Sequence, residues 1–486
     1  MSQFAEELVV LLYGRRAGAI TRTGPRLTFA YDPQHLDERN PTPLSLSMPL
    51  SDRSYANRFV EAHLRGLLPD HAEVRTRWAA HFGLRDRDTF GLIRAIGADT
   101  AGGAMFVTED NVEEALTGAG GYEPYSDSEI AERLRRLRAD DSDWLDEDEH
   151  WSLAGGQGKF ALARDKDGWA RATGYAASTY IVKPGIARLP AQALTEHVCM
   201  DTLRRAGLKA AESSYVEFED QPAIVVKRFD RRIDPSGQVT RVHQEDMCQA
   251  FGVDPSKKYP SDGGPAVPHL AKLLRDVDEP SAVRFAHAAA ANYLLGAPDA
   301  HAKNYAVLLV GRVVDLAPMY DVASGLVVNA AGKLRYGKAA MSIGGENRFG
   351  EVEARHWHKF ASSCGMPAEQ VDQMVRDLAA AIPDAMGDAI REVPADAQDR
   401  RVLTEQVHPR VRRLCEITVA GLDRSRRVEG RVMRPVMDEL QRMGPPHLAA
   451  APGSKDQTRQ PRGVPAGGQW ATQPRAEAEV FLDNHT

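Results

Sequence analysis

The sequence predicts an α+β protein with a β-rich N-terminal subdomain and a mostly α-helical C-terminal lobe. Short apolar runs bounded by turn residues concentrate in the first half of the chain, whereas helical periodicity dominates after residue 276. The length of 486 residues allows two or three domains with a large buried core. Apolar residues make up 43% and charged residues 27% of the chain, as in ordinary globular proteins.

Charge and cysteine content exclude several classes of protein. The 61 basic and 68 acidic residues give a net charge of −7, which argues against a general nucleic-acid coat protein. The four cysteines are far apart, which argues against a disulfide framework or a thiolate zinc site. No apolar run approaches the ~20 residues of a membrane span. Glu6 and Glu7 stand where a signal peptide needs positive charge, so we expect a cytoplasmic protein without a membrane partner.

The first 110 residues are typical of a small α+β subdomain. Three strands, at 8–12, 17–21 and 27–31, are joined by short turns and form a meander. Residues 44–48 alternate with period two between prolines, which predicts an edge strand. A helix is expected over 57–68, before Pro69.

The rest of the chain divides by composition. Residues 111–150 are expected to be an acidic connector, solvated over 139–149. Strands are then expected at 160–163, 179–183, 215–218 and 223–226, with a helix over 189–206. The spacing of Val371, Val375, Leu378 and Ile382 predicts an amphipathic helix in the region 276–440. The segment 441–486 is rich in Pro, Gly, Gln and Ala and is expected to be disordered.

A glycine-rich loop opens the first candidate site. It reads Ser152-Leu-Ala-Gly-Gly-Gln-Gly-Lys159 and comes just before a predicted strand. Such a loop exposes backbone N–H groups that can cradle phosphate oxygens. It is not a Walker A motif, and a plain hairpin turn fits the loop equally well.

Lys183 ends the apolar strand Thr179-Tyr-Ile-Val-Lys183. A lysine in that position of a kinase strand holds the α- and β-phosphates of ATP. A surface lysine at a strand end is the alternative. Glu196, on the next helical segment, is a possible ion-pair partner for the lysine.

Two later acidic residues and an amide have the chemistry to bind magnesium and to activate a phosphoryl acceptor. Asp299 and Asn304 are five positions apart, the separation of the catalytic Asp and the metal-binding Asn in protein kinases. Asp321 follows after a predicted hairpin, and Mg²⁺ prefers such carboxylate and amide oxygens. A polar capping loop and a turn aspartate are the respective alternatives. The serial order of all four motifs is that of a kinase-like phosphotransferase, although HRD, DFG and APE are absent. The sequence therefore predicts a divergent protein-kinase-like fold.

Longer blocks of the chain resemble the HipA family of serine/threonine kinases, the toxins of bacterial type II toxin–antitoxin modules. The likeness runs from about residue 8 to about residue 420. Its carriers are Leu12-Tyr-Gly-Arg-Arg16, Pro43-Leu-Ser-Leu-Ser-Met-Pro49, Ser152–Lys159, Val225-Val-Lys-Arg-Phe-Asp-Arg231, His243-Gln-Glu-Asp-Met-Cys-Gln249, Lys258-Tyr259, Asp262-Gly-Gly-Pro265, Asp299–Asn304 and Tyr320-Asp321.

The resemblance implies a role for each motif. Asp299 would be the catalytic base, Asn304 and Asp321 would bind Mg²⁺, and Ser152 would be an autophosphorylation site that shuts the enzyme off. The ATP-contacting residues would be Ala154, Gly155, Gly156, Gln157, Gly158, Lys159, Lys183, the hinge residues Lys227, Arg228 and Phe229, and the bordering His301 and Tyr320. Residues 151–275 would form the nucleotide-binding lobe and 276–440 the catalytic lobe. Gly158 and Lys227 depart from the family pattern, which often has acidic residues there.

The expected function is an ATP-dependent serine/threonine kinase that arrests growth as a toxin. The resemblance implies a helix-turn-helix, HipB-like antitoxin, operator DNA reached mainly through that antitoxin, and an aminoacyl-tRNA synthetase, first of all glutamyl-tRNA synthetase, as protein substrate. A catalytically weak corepressor and a small-molecule phosphotransferase are the alternatives. For the basic run that begins at Arg424, a solvated helix face is favoured over contact with DNA.

Overall fold

The computed structural model describes residues 5–146, 149–186, 188–328 and 333–424. The predicted disordered tail at 441–486 lies outside these residues, as do the side chains of the basic run that begins at Arg424. In the described ranges, no helix is both long enough and apolar enough to cross a membrane.

The N-terminal subdomain packs helices against an antiparallel sheet in the order β3–β2–β1–β5. Its elements are β1 (Glu6–Leu12), β2 (Arg15–Thr23), β3 (Arg26–Tyr31), α1 (Pro33–Leu36), α2 (Asn57–Leu67), α3 (Ala72–His81), α4 (Thr89–Ile96), β4 (Asp99–Thr100) and β5 (Met105–Val107). Tyr13 and Gly14 both adopt positive φ, the geometry of a tight two-residue hairpin between β1 and β2. The three predicted strands and the predicted helix are confirmed.

The edge strand expected at 44–48 is wrong. Ser45 and Met48 form an isolated backbone bridge within a tight turn. The alternating residues serve another purpose, since the hydroxyl groups of Ser45 and Ser47 both donate to the carbonyl of Gln249. The backbone N–H of Leu46 donates to the Glu245 carboxylate at 2.7 Å. The segment therefore fastens the N-terminal subdomain to a later part of the chain.

Residues 111–150 contain α5 (Val112–Thr117), β6 (Gly120–Pro124) and α6 (Asp127–Ala139). The expectation that 139–149 is solvated is wrong for its key residues. Trp144 is fully buried, and Glu149 forms a buried ion pair with Arg133 of α6. The acidic side chains of this stretch thus form ion pairs with arginines of α6, and these pairs allow the segment to pack against that helix.

A mixed lobe follows, in which α7 packs on an antiparallel sheet in the order β11–β12–β10–β8–β9–β6. Its elements are β7 (Trp151–Ser152), β8 (Phe160–Asp165), β9 (Gly168–Gly174), β10 (Tyr180–Lys183), α7 (Gln192–Arg205), β11 (Ser213–Phe218), β12 (Gln221–Lys227), β13 (Arg231–Ile233), β14 (Val239–Arg241), β15 (His243–Asp246) and α8 (Met247–Ala250). The predicted strands and helix are confirmed. One hydrophobic core joins this sheet to the N-terminal subdomain, with Trp78, Trp144 and Phe160 among its members.

The C-terminal lobe is mostly helical, as predicted. Its elements are α9 (Val267–Val277), α10 (Glu279–Leu294), β16 (Ala306–Val310), β17 (Val313–Leu316), β18 (Lys338–Ile343), β19 (Glu346–Arg348), α11 (Ala354–Cys364), α12 (Ala368–Glu392), α13 (Ala397–Val402) and α14 (His408–Arg424). Val371, Val375, Leu378 and Ile382 are buried on one face of α12. Strand β16 pairs with β15 of the mixed lobe and with β17. This small sheet joins the two lobes, and the loop that carries residues 299–304 comes just before β16.

Candidate active site

A cavity between the two lobes gathers most of the predicted site residues. The predicted residues that line it are Ala154, Gly155, Lys159, Lys183, Lys227, Arg228, Phe229, His301, Asn304, Tyr320 and Asp321. Asp299 lines an adjoining cleft together with Asn304 and Asp321. Ser152 is completely buried and is not among the residues that line the cavity.

Lys183 is the charged centre of the cavity. Strand β10 ends at this residue, and its ammonium group lies 2.8 Å from Glu196 Oε1 of α7 and 2.6 Å from Asp321 Oδ1. Burial alone would lower the pKa of Lys183, but the two carboxylates outweigh it and raise the pKa above the ordinary value. The lysine therefore stays charged and can meet an anionic phosphate. The ion pair between Lys183 and Glu196, which the sequence allowed, is present in the structure.

The loop 299–304 is held by a network of hydrogen bonds. The Asn304 amide nitrogen donates to the Asp299 carbonyl at 2.7 Å, and the Tyr259 hydroxyl donates to Asp299 Oδ1 at 2.8 Å. Burial raises the pKa of Asp299 well above the usual range, against the opposing effects of Lys258 and Tyr259. A carboxylate with a raised pKa accepts a proton more readily, as a general base must.

Asp321 completes the acidic side of the cavity. Its backbone adopts φ of +58°, which is uncommon for a residue other than glycine. Burial opposes its ionisation, but the Lys183 ammonium holds the pKa of Asp321 below the ordinary value. Within the described residues, no cluster of three or more His, Cys, Asp or Glu side chains could hold a metal alone. Asn304 and Asp321 nevertheless offer an amide and a carboxylate oxygen, which fit a Mg²⁺ ion that completes its shell with phosphate and water.

The glycine-rich loop is folded inward over the cavity. Gly155 has φ of +108°, a conformation that L side chains rarely adopt. The Lys159 ammonium donates to the Ala154 carbonyl at 2.7 Å, while burial and the nearby Lys183 lower the pKa of Lys159 to about 8. Gly156, Gln157 and Gly158 belong to the loop but are not among the cavity-lining residues.

Gly158, where the resemblance implies an acidic residue, lies directly against Asp141. Its backbone N–H donates to Asp141 Oδ1 at 2.8 Å. A Cβ atom at this position would lie 2.5 Å from the same oxygen. Asp141 therefore occupies the space beside the loop and supplies a carboxylate from a neighbouring segment.

The residues that the resemblance assigns to the hinge contribute unequally to the cavity. The Lys227 ammonium group turns outward to Glu212, at 3.0 Å. The Arg228 guanidinium turns into the protein, where it donates to Asp230 at 2.8 Å and to the Thr100 carbonyl at 2.7 Å. The Phe229 ring lies 5.4 Å from the Tyr320 ring, centroid to centroid. The cavity wall here thus consists of Phe229 and Tyr320, together with the backbone of the hinge.

A buried ionic cluster behind the hinge was not foreseen from the sequence. Asp99 of β4 accepts from Arg231 at 2.8 Å and from Ser178 at 2.6 Å, and Arg231 also reaches Asp230 at 2.9 Å. Asp99 belongs to the N-terminal subdomain, whereas Asp230 and Arg231 follow the hinge. The cluster therefore fixes the hinge against the first subdomain.

Sequence reasoning also missed several polar residues that line the cavity. Asp70, Gln244, Asp246 and Lys303 are among them. Gln244 is notable because its buried side-chain oxygen has no hydrogen-bond partner within the described part of the chain. Gln244 and Asp246 lie in one of the sequence blocks on which the family resemblance rests, and Lys303 lies in another. Those blocks were the available signal for these three residues. Asp70 follows Pro69, which the sequence marked as the end of a helix.

Comparison with known proteins identifies related chains. The model of the HipA-like C-terminal domain matches residues 151–386, and the model of the HipA N-terminal domain matches residues 8–106. A protein of Sinorhizobium fredii that is named as a kinase, Y4mE, is 32% identical over 393 residues, which cover 79% of this chain and 91% of the relative. The serine/threonine-protein kinase toxin HipA of Shewanella oneidensis is 28% identical over 401 residues, which cover 80% of this chain and 90% of the relative.

A solved structure shares the fold over most of the chain. It is the complex of HipA, HipB and operator DNA of the Shewanella oneidensis toxin–antitoxin system. One chain of that complex superposes with a TM-score of 0.74 at 27% identity, covering 87% of this chain and 100% of its own length. The predicted fold class is confirmed. The chain belongs to the HipA family of serine/threonine kinases.

Proposed function

We propose that the protein transfers the γ-phosphoryl group of ATP to serine or threonine hydroxyls of proteins, and that it is the toxin of a type II toxin–antitoxin module. The observation that carries the kinase part is the position of Lys183, whose ammonium contacts both Glu196 and Asp321 in a cavity that Asn304 also lines. The cavity thus combines the Lys183 ammonium with two potential metal ligands, Asn304 and Asp321. This combination suits a triphosphate better than a neutral ligand.

Bound ATP with Mg²⁺ would supply the phosphoryl group and neutralise its phosphate charge. Lys183 would bind phosphate oxygens, and Asn304 and Asp321 would hold the ion. Asp299 takes the proton of the acceptor hydroxyl while the hydroxyl oxygen bonds to the γ-phosphorus. The bond between the γ-phosphorus and the β–γ bridging oxygen of ATP breaks, and ADP leaves with that oxygen. Catalysis of this kind consists of positioning and electrostatic stabilisation.

We further propose that Ser152 is the autophosphorylation site. Its hydroxyl is fully buried and donates to the Leu67 carbonyl at 2.7 Å. The hydroxyl therefore accepts phosphate only after the glycine-rich loop has left the position described above. A phosphate on Ser152 would add a charge of about −1.5 to −2. Because burial of such a charge is costly, the modified loop could not return to its position over the cavity, and the enzyme would be inactive.

The proposed partners follow from the relatives. A helix-turn-helix antitoxin of the HipB type would bind the chain, and operator DNA would be contacted mainly through it. The likeness to a chain of the HipA, HipB and operator DNA complex supports this part. An aminoacyl-tRNA synthetase, with glutamyl-tRNA synthetase tested first, is the proposed protein substrate, on the strength of the family likeness.

Radiolabelled ATP tests the kinase proposal. Wild-type protein is incubated with [γ-³²P]ATP and Mg²⁺, alone and with purified glutamyl-tRNA synthetase, and the labelled residues are mapped by mass spectrometry. We expect label on Ser152 and on the synthetase, lost in Asp299→Asn and in Asp321→Asn. Asp110→Asn, which removes an exposed remote carboxylate, serves as the matched control and keeps full labelling.

Three results would contradict parts of the proposal. Equal labelling of wild type and both mutants would overturn the assigned residues. Binding to the antitoxin without any labelling would favour a corepressor. Transfer of label to small molecules of a cell lysate, and to no protein, would favour a small-molecule phosphotransferase.

A further inference from the structure

The connection between α2 and α3 touches both halves of the candidate active site. The Asp70 backbone N–H donates to the Gly155 carbonyl at 2.9 Å, and the His71 ring hydrogen-bonds to the Gly156 carbonyl. Leu67, at the end of α2, accepts the hydroxyl of Ser152. The backbone of residues 67–71, together with His71, therefore holds the glycine-rich loop inward.

The side chain of Asp70 points to the opposite half of the site. Its Oδ2 accepts from the Lys258 ammonium at 2.5 Å, and its Oδ1 accepts from the Lys303 ammonium at 2.7 Å. All three side chains are at least 87% buried, the most exposed being Asp70 at 13%. Burial opposes the charge of Asp70, but the two lysines hold its pKa well below the ordinary value. The carboxylate is thus shared by two ammonium groups, which favour its ionised form.

Both lysines are tied to the loop 299–304. Lys303 directly precedes the proposed metal ligand Asn304. The Lys258 carbonyl accepts the backbone N–H of Ala302 at 3.2 Å, and the next residue, Tyr259, donates to the Asp299 carboxylate. Displacing either lysine would therefore disturb the loop that carries the proposed base and the proposed metal ligand.

We propose that Asp70 is a positioning residue of this kinase: its carboxylate fixes the loop 299–304 against the N-terminal subdomain through Lys258 and Lys303. The inference rests on the proposed function and extends it, since the residue lies outside the region matched by the C-terminal family model. Asp70 acts through the two lysines and needs no contact with the reacting atoms.

The structure separates the two tasks of this connection. The contact with the glycine-rich loop uses the backbone N–H of Asp70, which Asp70→Asn and Asp70→Glu both keep. The contact with the loop 299–304 uses the carboxylate. Replacing the carboxylate should therefore impair phosphoryl transfer while ATP binding persists. An asparagine in place of Asp70 would not serve, because its one side-chain oxygen satisfies one ammonium group while its NH₂ group faces the other.

The test compares Asp70→Asn with Asp70→Glu, which keeps two acceptor oxygens, and with Glu73→Gln, which removes an exposed charge from the first turn of α3. We expect Asp70→Asn to lower kcat for substrate phosphorylation by about 10- to 100-fold. KM for ATP should stay within about threefold, the signature of a loss confined to the chemical step. Asp70→Glu should recover part of kcat, and Glu73→Gln should match wild type. A KM effect without a kcat effect, or wild-type kinetics in Asp70→Asn, would overturn the proposal.

A double-mutant cycle and hydrogen exchange keep the test decisive if Asp70→Asn is poorly folded. Lys258→Gln removes one cation and leaves Asp70 with Lys303. If Asp70 acts through the lysines, the combined variant loses no more kcat than the worse single variant, whereas additive losses would contradict the proposal.

Deuterium exchange read by mass spectrometry needs no activity. Exchange of residues 299–304 should rise in Asp70→Asn, relative to wild type and Glu73→Gln, more than exchange of α12 does. A uniform rise over the whole chain would indicate a general loss of stability and would overturn the assignment. If wild-type protein fails to label any substrate, the proposed function fails, and the exchange result still decides the role of Asp70.

Discussion

The Lys183 ammonium lies between two carboxylates, 2.6 Å from Asp321 and 2.8 Å from Glu196. The three residues come from β10, α7 and the segment after β17, so this contact joins both lobes across the cavity. A lysine fixed on both sides loses little further freedom when it meets a phosphate.

The first prediction concerns Glu196. In Glu196→Gln, Asp321 becomes the remaining carboxylate within reach of Lys183, and the ammonium shifts toward the proposed metal ligand. We expect kcat/KM for ATP to fall by about tenfold or more in steady-state assays. Glu217→Gln, an exposed residue of β11, is the matched control and should behave as wild type. Unchanged kinetics in Glu196→Gln would show that the pair with Lys183 has no catalytic consequence.

The second prediction separates binding from chemistry at Asp299. Asp299→Asn keeps the shape of the side chain but removes the proton acceptor. We expect kcat to fall by about 10²- to 10⁴-fold, while the affinity for a fluorescent ATP analogue stays near that of wild type. A parallel loss of nucleotide affinity would instead assign Asp299 to ATP binding.

The third prediction uses a charge at Ser152. Ser152→Asp has no hydrogen to donate to the Leu67 carbonyl and brings a carboxylate into a fully buried position. An unsatisfied buried group costs ~1–3 kcal/mol, so we expect ATP affinity to fall by about tenfold or more. Limited proteolysis should cut the glycine-rich loop sooner. Ser362→Asp, on the exposed side of α11, should change neither measurement.

The fourth prediction concerns the ionic cluster behind the hinge. Asp99→Ala leaves Arg231 and Arg228 buried without one of their shared anions. Breaking a buried pair in this way costs about 3–5 kcal/mol in the free energy of unfolding. Urea denaturation should show this loss, and Asp110→Ala, an exposed residue, should not. A loss below ~1 kcal/mol would mean that water or Asp230 compensates for the missing carboxylate.

The fifth prediction is a pH dependence of stability. His243 donates from Nε2 to the Leu44 carbonyl and accepts the Gly103 N–H at Nδ1, an arrangement that requires the neutral ring. Burial lowers its pKa from 6.5 to about 4. Between these values the unfolded chain binds a proton that the folded chain refuses, so stability falls with falling pH by ~1.4 kcal/mol per unit.

The measurement is urea denaturation at several pH values from 7 to 4. His243→Gln, which does not titrate, should flatten the curve over this range relative to wild type. His269→Gln makes the same substitution at an exposed histidine of α9 and serves as the matched control. A wild-type slope in His243→Gln would assign the acid sensitivity to other groups.

The sequence predicted those parts of the site that lie in local motifs. The glycine-rich loop, Lys183, the Asp299–Asn304 spacing and Asp321 stood in a recognisable order, and the structure gathers them around one cavity or its adjoining cleft. Asp70 and Asp99 were not predicted, because their partners are 188 and 132 residues away in the chain. Such contacts depend on how the subdomains pack, which no local pattern records.

The error at 44–48 has a similar origin. Alternation of polar and apolar residues predicts a strand only where a neighbouring strand is available for pairing. Here the hydroxyl groups of the alternating serines donate hydrogen bonds to the carbonyl of Gln249, about 200 residues later in the chain.

Contacts between the two regions that the family models match hold the candidate active site together. Leu67 and Asp70 lie in the first region, and the serine and lysines that they hold lie in the second. A fragment starting at Trp151 would carry every residue named in the kinase motifs and still lack the supports that keep them in register. Exchanging one half alone between two relatives would replace only one side of these contacts, so a chimaera should exchange residues 67–71 along with the lobe that they contact.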